Sequence, residues 1–293
     1  MQTRIYHPYP WRLGHWSRAK IKKPILQKII YLFSKINIRN HRKTCIIDNN
    51  IVYIGSFNIS KCHLDKQHGG ENWRDAGVRL QNVDCSSLCR AFAAVWQHKR
   101  IANRIKAIFK HEDKDPIFRL NNTRHRRRVL YRNLLRKIAQ CKQRVWITNA
   151  YFIPDNFLLR KLKAAAKRGI DVRILLPEKS DIFYIPWTAA TFYAALLKAK
   201  VRIFEYYPSI LHAKTLIIDD WIIIGSTNLD DRSLLHNLEI DVNIKSSAAK
   251  QKIVQQFLRD LENAKEIKLD DWQKRPLCQR IIGRLFLYLK YWI

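Results

Sequence analysis

Residues 41–59 read HRKTCIIDNNIVYIGSFNI and residues 212–229 read HAKTLIIDDWIIIGSTNL; one gap after the Asp aligns them. Copies this far apart cannot be neighbouring units of a solenoid. They call for two similar halves facing each other across a pseudo-twofold axis. In each copy a short β-rich run (44–48, 215–219) meets a polar turn, and a second apolar run follows (51–56, 221–226). That is the pattern of a β-hairpin. The second turn is one residue shorter, so the two hairpins differ at the bend.

The second half reads more fully. Residues 144–152 alternate like a strand, Asp155 can cap a helix over 156–168, and Gly169 can end it. Residues 170–176 form the next strand, giving a βαβ unit with a right-handed crossover. A helix over 187–198 and a strand over 201–206 precede His212, and a strand over 239–244 and an amphipathic helix over 248–264 follow the repeat. Only 40 residues precede His41, and they read as a Pro- and Trp-rich basic loop and a helix-like run over 25–33, with no βαβ pattern. The first half is therefore expected to be N-terminally shortened relative to the second. A long helix is expected over 86–110 and another from Val129. Between them NNTRHRRR (121–128) marks a boundary, as an exposed linker or a phosphate contact. The expected division is a first half over 1–120, a second over 121–270 and a tail over 271–293. The fold class is α/β: two halves, each a mixed β-sheet flanked by helices, with the active site at their interface.

Lys and Arg outnumber Asp and Glu by 55 to 24, a formal net charge of +31. An enzyme for small neutral molecules has no use for such a field, which draws polyanions: nucleic acid or an anionic membrane surface. The six Cys (45, 62, 85, 89, 141, 278) form no CxxC pair. They are expected to be reduced, mostly buried thiols of a cytosolic compartment, with no metal site. No apolar signal segment follows Met1, and no apolar run reaches the roughly 18 residues of a spanning helix. The stretch RIIGRLFLYLKYWI (280–293) is too short to span a bilayer but is apolar, aromatic and basic. It suits a helix lying in the membrane interface, the alternative being a helix docked on the core.

In an extended segment His41 and Lys43 point to one face, as do His212 and Lys214. An imidazole beside an ammonium suits anion binding better than a core. If two such edges meet, two His and two Lys converge on one phosphate, the lysines neutralising its nonbridging oxygens. Asn58 and Asn228 can donate further bonds to substrate, as can Ser56 and Ser226. One imidazole attacks phosphorus to form a phosphohistidine, and the other protonates the leaving alcohol and deprotonates the incoming one. Each base needs an acid to orient its second ring nitrogen. Glu239, 27 residues after His212, and Asp75, 34 after His41, are assigned that role. The motif acids Asp48 and Asp219 lie on the hairpins and hold the motif together by hydrogen bonds. No metal or cofactor is called for, because the lysines supply the positive charge.

At these residues the chain resembles the phospholipase D superfamily and, within it, the bacterial cardiolipin synthases. NHRKTCIID, NWRDAGVRL, NTRHRRR, ITNAYFIPD, LHAKTLIID and GSTNLDDRSLLHNLEI carry the likeness, from about residue 36 to residue 265. The resemblance implies phosphatidyl transfer from one phosphatidylglycerol to the headgroup of a second phospholipid, with release of glycerol. It also implies a peripheral place on the cytoplasmic face of a bacterial inner membrane. It makes His41, in the N-terminal motif, the nucleophile and His212 the acid/base. Two departures accompany it: the opening portion of the first catalytic half is missing, and no N-terminal membrane helices are seen. A protein partner supplying that portion is a further expectation. Two other readings stand beside this one: a phosphodiesterase acting on nucleic acid, and a truncated, non-catalytic paralogue.

Overall fold

The structure is a computed structural model and describes residues 2–4, 6, 24–35, 38–97 and 116–288. In chain order the elements are α1 (Ile25–Lys35), β1 (Thr44–Ile47), β2 (Ile51–Gly55), β3 (Gly77–Gln81), α2 (Ser86–Trp96), β4 (Phe118–Leu120) and α3 (Arg124–Gln140). Then come β5 (Arg144–Thr148), α4 (Asn156–Lys167), β6 (Asp171–Pro177), α5 (Tyr184–Ala190), α6 (Tyr193–Leu197), β7 (Arg202–Tyr206), β8 (Thr215–Ile218) and β9 (Trp221–Gly225). The chain continues through α7 (Asp231–Leu235), β10 (Ile240–Asn243), α8 (Ser247–Glu262), β11 (Ala264–Ile267), α9 (Leu269–Gln273) and α10 (Leu277–Tyr288). Two short 3-10 turns, Lys61–His63 and Lys66–His68, sit between β2 and β3.

The strands form two sheets, one of order β1-β2-β3 and one of order β11-β7-β6-β5-β8-β9-β10-β4. The larger is mixed: β5, β6 and β7 run parallel, and β8 pairs antiparallel with both β5 and β9. Asp155 caps α4 by accepting from the Leu158 N–H, and Gly169 leaves the helix at φ 87. The βαβ unit thus begins and ends where the sequence signals it. Side chains alternate across β8 and β9. Leu216, Ile218, Trp221 and Ile223 join the core under α3, α4 and α6, while Ile217 and Ile222 join the core shared with α8 and the first half. Both faces of this sheet are covered, so TLII and WIIIG are buried throughout. Each fully buried Ile or Leu contributes roughly 1.5–3 kcal/mol.

The small sheet packs through β2 and β3 on β9 and β10, with Val52 and Ile54 of β2 fully buried in the shared core. Its outer strands show one-sided burial, half-buried and exposed residues alternating along β1 and β3. Among the described residues it is purely antiparallel, so the mixed character belongs to the second half's sheet. The two hairpins differ at the bend as their lengths require. Ile218 pairs directly with Trp221 across a two-residue turn, whereas Ile47 pairs with Ile51 across three residues, with Asp48 and Asn49 at φ 50 and 51. Asp and Asn tolerate this left-handed backbone because their short polar side chains bond locally.

Several expectations change. β4 pairs with β10, so the chain joins the second sheet before residue 120 and the boundary at 120/121 cuts a β-strand from its own sheet. NNTRHRRR is not a linker: Thr123 caps α3, which starts at Arg124 and not at Val129. The helix expected over 86–110 is described to Trp96, and its remainder from 98 lies outside the described residues, as does most of the basic N-terminal loop. The helix expected over 187–198 is two short ones, α5 and α6. Of the six free thiols only Cys85 and Cys141 are buried, so "mostly buried" does not hold.

The C-terminal helix α10 docks on α5 by one face and leaves the other bare. A Cβ at Gly283 would lie 2.3 Å from the Trp187 carbonyl oxygen, so only glycine allows this approach. Phe286 stacks on Tyr184 at 3.9 Å. On the outer face Leu277, Ile281, Leu285 and Tyr288 are exposed. Both readings of the tail therefore apply, one to each face; residues 289–293 lie outside the described residues. No helix among the described residues is long and apolar enough to cross a membrane.

Candidate active site

Two backbone crossings stitch the halves together. The His41 N–H donates to the Leu238 carbonyl at 2.9 Å and the Leu238 N–H to the Arg39 carbonyl at 2.8 Å. The Arg74 N–H donates to the Ile210 carbonyl at 2.9 Å and the His212 N–H to the Arg74 carbonyl at 2.8 Å. The chain leading to each motif histidine thus runs beside the chain leading to the other half's acid. Asn121 supports one crossing: its Oδ1 accepts from the Glu239 N–H at 2.6 Å and its amide donates to the Asn237 carbonyl at 3.0 Å. The Arg74 guanidinium, paired with Asp260 at 2.7 and 3.0 Å, supports the other.

As a result the orienting acids pair across the seam. His41 Nδ1 lies 2.9 and 3.0 Å from the two Glu239 carboxylate oxygens, and His212 Nδ1 lies 2.9 Å from Asp75 Oδ1. Asp75 and Glu239 do meet motif imidazoles, but each meets the motif histidine of the opposite half. Ser56 donates to Asp75 at 2.7 Å and Ser226 to Glu239 at 2.6 Å. Both serines are fully buried and spend their protons on the acids, so neither faces a substrate as expected from sequence. Asn228 is buried and its Oδ1 has no protein partner, whereas Asn58 is exposed. Asp219 accepts from three backbone N–H groups of the turn entering β5, those of Lys142, Gln143 and Arg144. It therefore ties its hairpin to the neighbouring strand and lies away from the histidines. Its counterpart Asp48 sits on the exposed turn after β1.

The lysines close the site. Lys43 Nζ donates to the His41 carbonyl at 2.8 Å and Lys214 Nζ to the His212 carbonyl at 2.6 Å. Burial lowers Lys43 to about 8, with Glu239 and Asp75 opposing the fall. Burial, then repulsion from Lys43, lowers Lys214 to about 7. Burial, then the Lys214 charge, lowers His212 to about 4, so it is a neutral imidazole at neutrality. Asp75 stays ionised: burial pushes it up, but the bond and charge of His212 and the bonds from Ser56 and His63 prevail and hold it at about 2. Glu239 is likewise held below the usual range, burial being outweighed by the charge and bond of His41 and the Ser226 hydroxyl. Lys43 acts across the seam on both Lys214 and His212, so the two lysines and the two imidazoles form one cluster. Its more open side is His41, whose side chain is 27% exposed against 7% for His212.

These values carry a pH expectation. An ammonium that loses its proton near 7 or 8 binds a phosphodiester only below that range. In the free protein kcat/KM for an anionic diester should fall as pH rises through about 7–8. At saturation the bound anion keeps the lysines protonated, so kcat should hold to higher pH. A kcat/KM flat from about pH 6 to pH 9 would remove the lysines from this role.

Sequence reasoning missed three residues here. His63 Nδ1 lies 2.5 Å from Asp75 Oδ2, so this acid serves two imidazoles. The His63 ring meets the Trp73 ring edge-on at 5.3 Å. Tyr151, hydrogen-bonded to Asp181, lies 6.3 Å from the His212 ring and 5.9 Å from Lys214 Nζ. Trp73 and Tyr151 lay in noted stretches, and nothing in the His63 spacing signalled it. His63, Asp75 and His212 also form a group whose ligand-type atoms lie within 4.8 Å of one another. Asp75 already takes a ring nitrogen of each histidine on separate oxygens, so hydrogen bonding accounts for the arrangement.

A paired α/β fold with twin His-x-Lys motifs meeting at the seam defines a phospholipase D-like protein. The chain belongs to the family described as cardiolipin synthase, PLD-like domain, whose model matches residues 10–96 and 134–261. It is 34% identical over 273 residues to cardiolipin synthase 2 of Bacillus anthracis, covering 88% of this chain and 52% of that protein. It is 30% identical over 263 residues to a cardiolipin synthase of Clostridium perfringens, covering 86% and 55%. The chain thus spans about half the length of these curated relatives. Among solved structures, phosphatidylserine synthase of Haemophilus influenzae matches with a TM-score of 0.67 at 14% identity, covering 99% of this chain and 81% of that one. That match bears on the fold alone.

Proposed function

We propose that the seam carries a phosphatidyltransferase of the cardiolipin synthase type. His41 Nε2 attacks the phosphorus of phosphatidylglycerol, a P–N bond forms as the bond to the glycerol oxygen breaks, and His212 gives that oxygen its proton. His212 then takes the proton from a hydroxyl of a second phosphatidylglycerol, whose oxygen attacks phosphorus as the P–N bond breaks. Two phosphatidylglycerols yield cardiolipin and glycerol. Lys43 and Lys214 hold the phosphoryl oxygens throughout. The arriving anion offsets the Lys214 charge that lowers His212, which favours the protonated imidazole this role needs. The observation that carries the reading is the crossed pair of His–carboxylate contacts flanking two lysines. The family supplies the lipid.

The purified chain would be given labelled phosphatidylglycerol in anionic vesicles. Cardiolipin with free glycerol supports the transferase, phosphatidic acid alone makes water the acceptor, and cleavage of DNA in place of lipid supports the nuclease reading. A folded protein inert on all three would count for the non-catalytic one.

Membrane contact through α10 belongs to the same proposal, as does a peripheral position on the inner face of the membrane. Its outer apolar stripe is flanked by Arg280 and Arg284, and Phe183, also exposed, lies beside Phe286. Replacing Leu277, Ile281 and Leu285 together by Ser should weaken binding to phosphatidylglycerol vesicles by about 100-fold, roughly 1 kcal/mol per partly inserted side chain. Co-sedimentation at several salt concentrations checks this: the salt-resistant part of binding should vanish. Unchanged binding would take α10 out of the interface.

A further inference from the structure

The repeat fixes which residues of the two halves correspond. GSFNISKCH (55–63) aligns without a gap on GSTNLDDRS (225–233), so His63 stands where the second half has Ser233. The local structures part at this point. In the second half Asp230 caps α7 and takes the Ser233 N–H at 2.7 Å. In the first half the chain makes the 3-10 turn Lys61–His63 instead. Backbone bonds seat that turn against the segment leading to Asp75. The Trp73 N–H donates to the Cys62 carbonyl at 3.1 Å and the Asn72 N–H to the Leu64 carbonyl at 2.9 Å. Gly70 allows the approach, because a Cβ there would collide with the Leu64 carbonyl. The turn carries the His63 side chain inward, where 7% of it is exposed.

What His63 meets there separates the two acids. Glu239 accepts from one imidazole and one hydroxyl, and both of its carboxylate oxygens lie within 3.0 Å of His41 Nδ1. Asp75 accepts from two imidazoles and one hydroxyl. Its Oδ1 serves His212 at 2.9 Å and Ser56 at 2.7 Å, and its Oδ2 serves His63 at 2.5 Å. Asp75 is ionised and can only accept, so both imidazoles present an Nδ1–H to it. The consequence is geometric. The end torsion of an Asp side chain is broad and nearly twofold, so a carboxylate gripped at one oxygen can swing. A donor on Oδ2 stops the swing and keeps Oδ1 on His212. The His63 ring also lies 5.7 Å from the His212 ring, and Trp73 lies 5.6 Å from it.

We propose that His63 is a positioning residue for the acid step, holding Asp75 so that the His212 imidazole keeps the tautomer and direction needed to protonate the leaving glycerol oxygen. It acts through Asp75 and touches no reacting atom. The nucleophile's side of the seam is built without it, Ser233 standing at the corresponding place. This role rests on the division of labour proposed above, in which His212 is the acid.

The test uses the full chain and two variants. His63→Phe keeps a ring against Trp73 and removes the donor; His63→Asn loses the ring and restores an N–H at the place of Nδ1. His63→Phe should cut kcat for phosphatidylglycerol about tenfold to a hundredfold with KM little changed. The burst of nitrophenolate from bis(p-nitrophenyl) phosphate, whose leaving group needs no proton, should fall far less. His63→Asn should recover most of the lost lipid turnover. The low-field Nδ1 proton resonance of His212 should shift in His63→Phe and return in His63→Asn, with that of His41 unmoved. A role in packing alone would lower lipid turnover and burst together and would not be rescued by Asn; either result overturns the proposal. So does an unmoved His212 resonance in His63→Phe. That resonance needs no substrate, so it decides the role of His63 even where the chain fails to transfer a phosphatidyl group.

Discussion

His41→Ala and His212→Ala are each expected to cut turnover of phosphatidylglycerol by about a thousandfold or more, the loss of a nucleophile or of a general acid. The two variants should part company on an activated substrate. In bis(p-nitrophenyl) phosphate the leaving phenolate needs no proton, so His212→Ala should still release a burst of nitrophenolate. His41→Ala, lacking the attacking nitrogen, should not. A denaturing quench at alkaline pH, which preserves the P–N bond, followed by phosphoprotein analysis would find the phosphorus on His41 in the first case. The assignment rests on geometry: the His41 ring is the more exposed, whereas His212 is buried and lowered by that burial and by Lys214. Substantial lipid turnover by either variant would end the shared-site mechanism. A burst from His41→Ala but not from His212→Ala would reverse the roles.

Glu239→Gln should cost about a hundredfold to ten-thousandfold in kcat, and Asp75→Asn a similar amount, because each leaves an imidazole with the wrong tautomer or orientation. The informative part is which histidine each disturbs. Glu239→Gln should abolish the low-field Nδ1 proton resonance of His41, 198 residues away in sequence, and spare that of His212. Asp75→Asn should do the reverse, acting on His212 137 residues away. Loss of the His41 resonance in Asp75→Asn, or of the His212 resonance in Glu239→Gln, would contradict the crossed arrangement. Because His63 also donates to Asp75, Asp75→Asn should move a second imidazole resonance, an effect with no counterpart at Glu239.

The repeat is the reason so much was legible. Two hairpins of matching pattern pointed to two halves, and twin His-x-Lys edges with a charge of +31 pointed to an anion between them. The βαβ unit was readable because Asp155 and Gly169 punctuate it locally, through a cap and a left-handed turn. Less was readable wherever a residue's role depended on a distant partner. Ser56 and Ser226 looked like substrate ligands because a hydroxyl can donate to anything; burial beside Asp75 and Glu239 decided otherwise. The basic run 121–128 looked like a linker because charge hides a helix start, although Thr123 carried the capping signal.

The sequence by itself carried the residue types: two His and two Lys, in two sets of matching spacing. Those are properties of residue type and short spacing, which survive any folding of the rest. Only the tertiary structure decided the pairing. Backbone bonds of His41 with Leu238 and of His212 with Arg74 lay each motif beside the other half's acid. Contacts between segments 137 and 198 residues apart leave no periodicity to read.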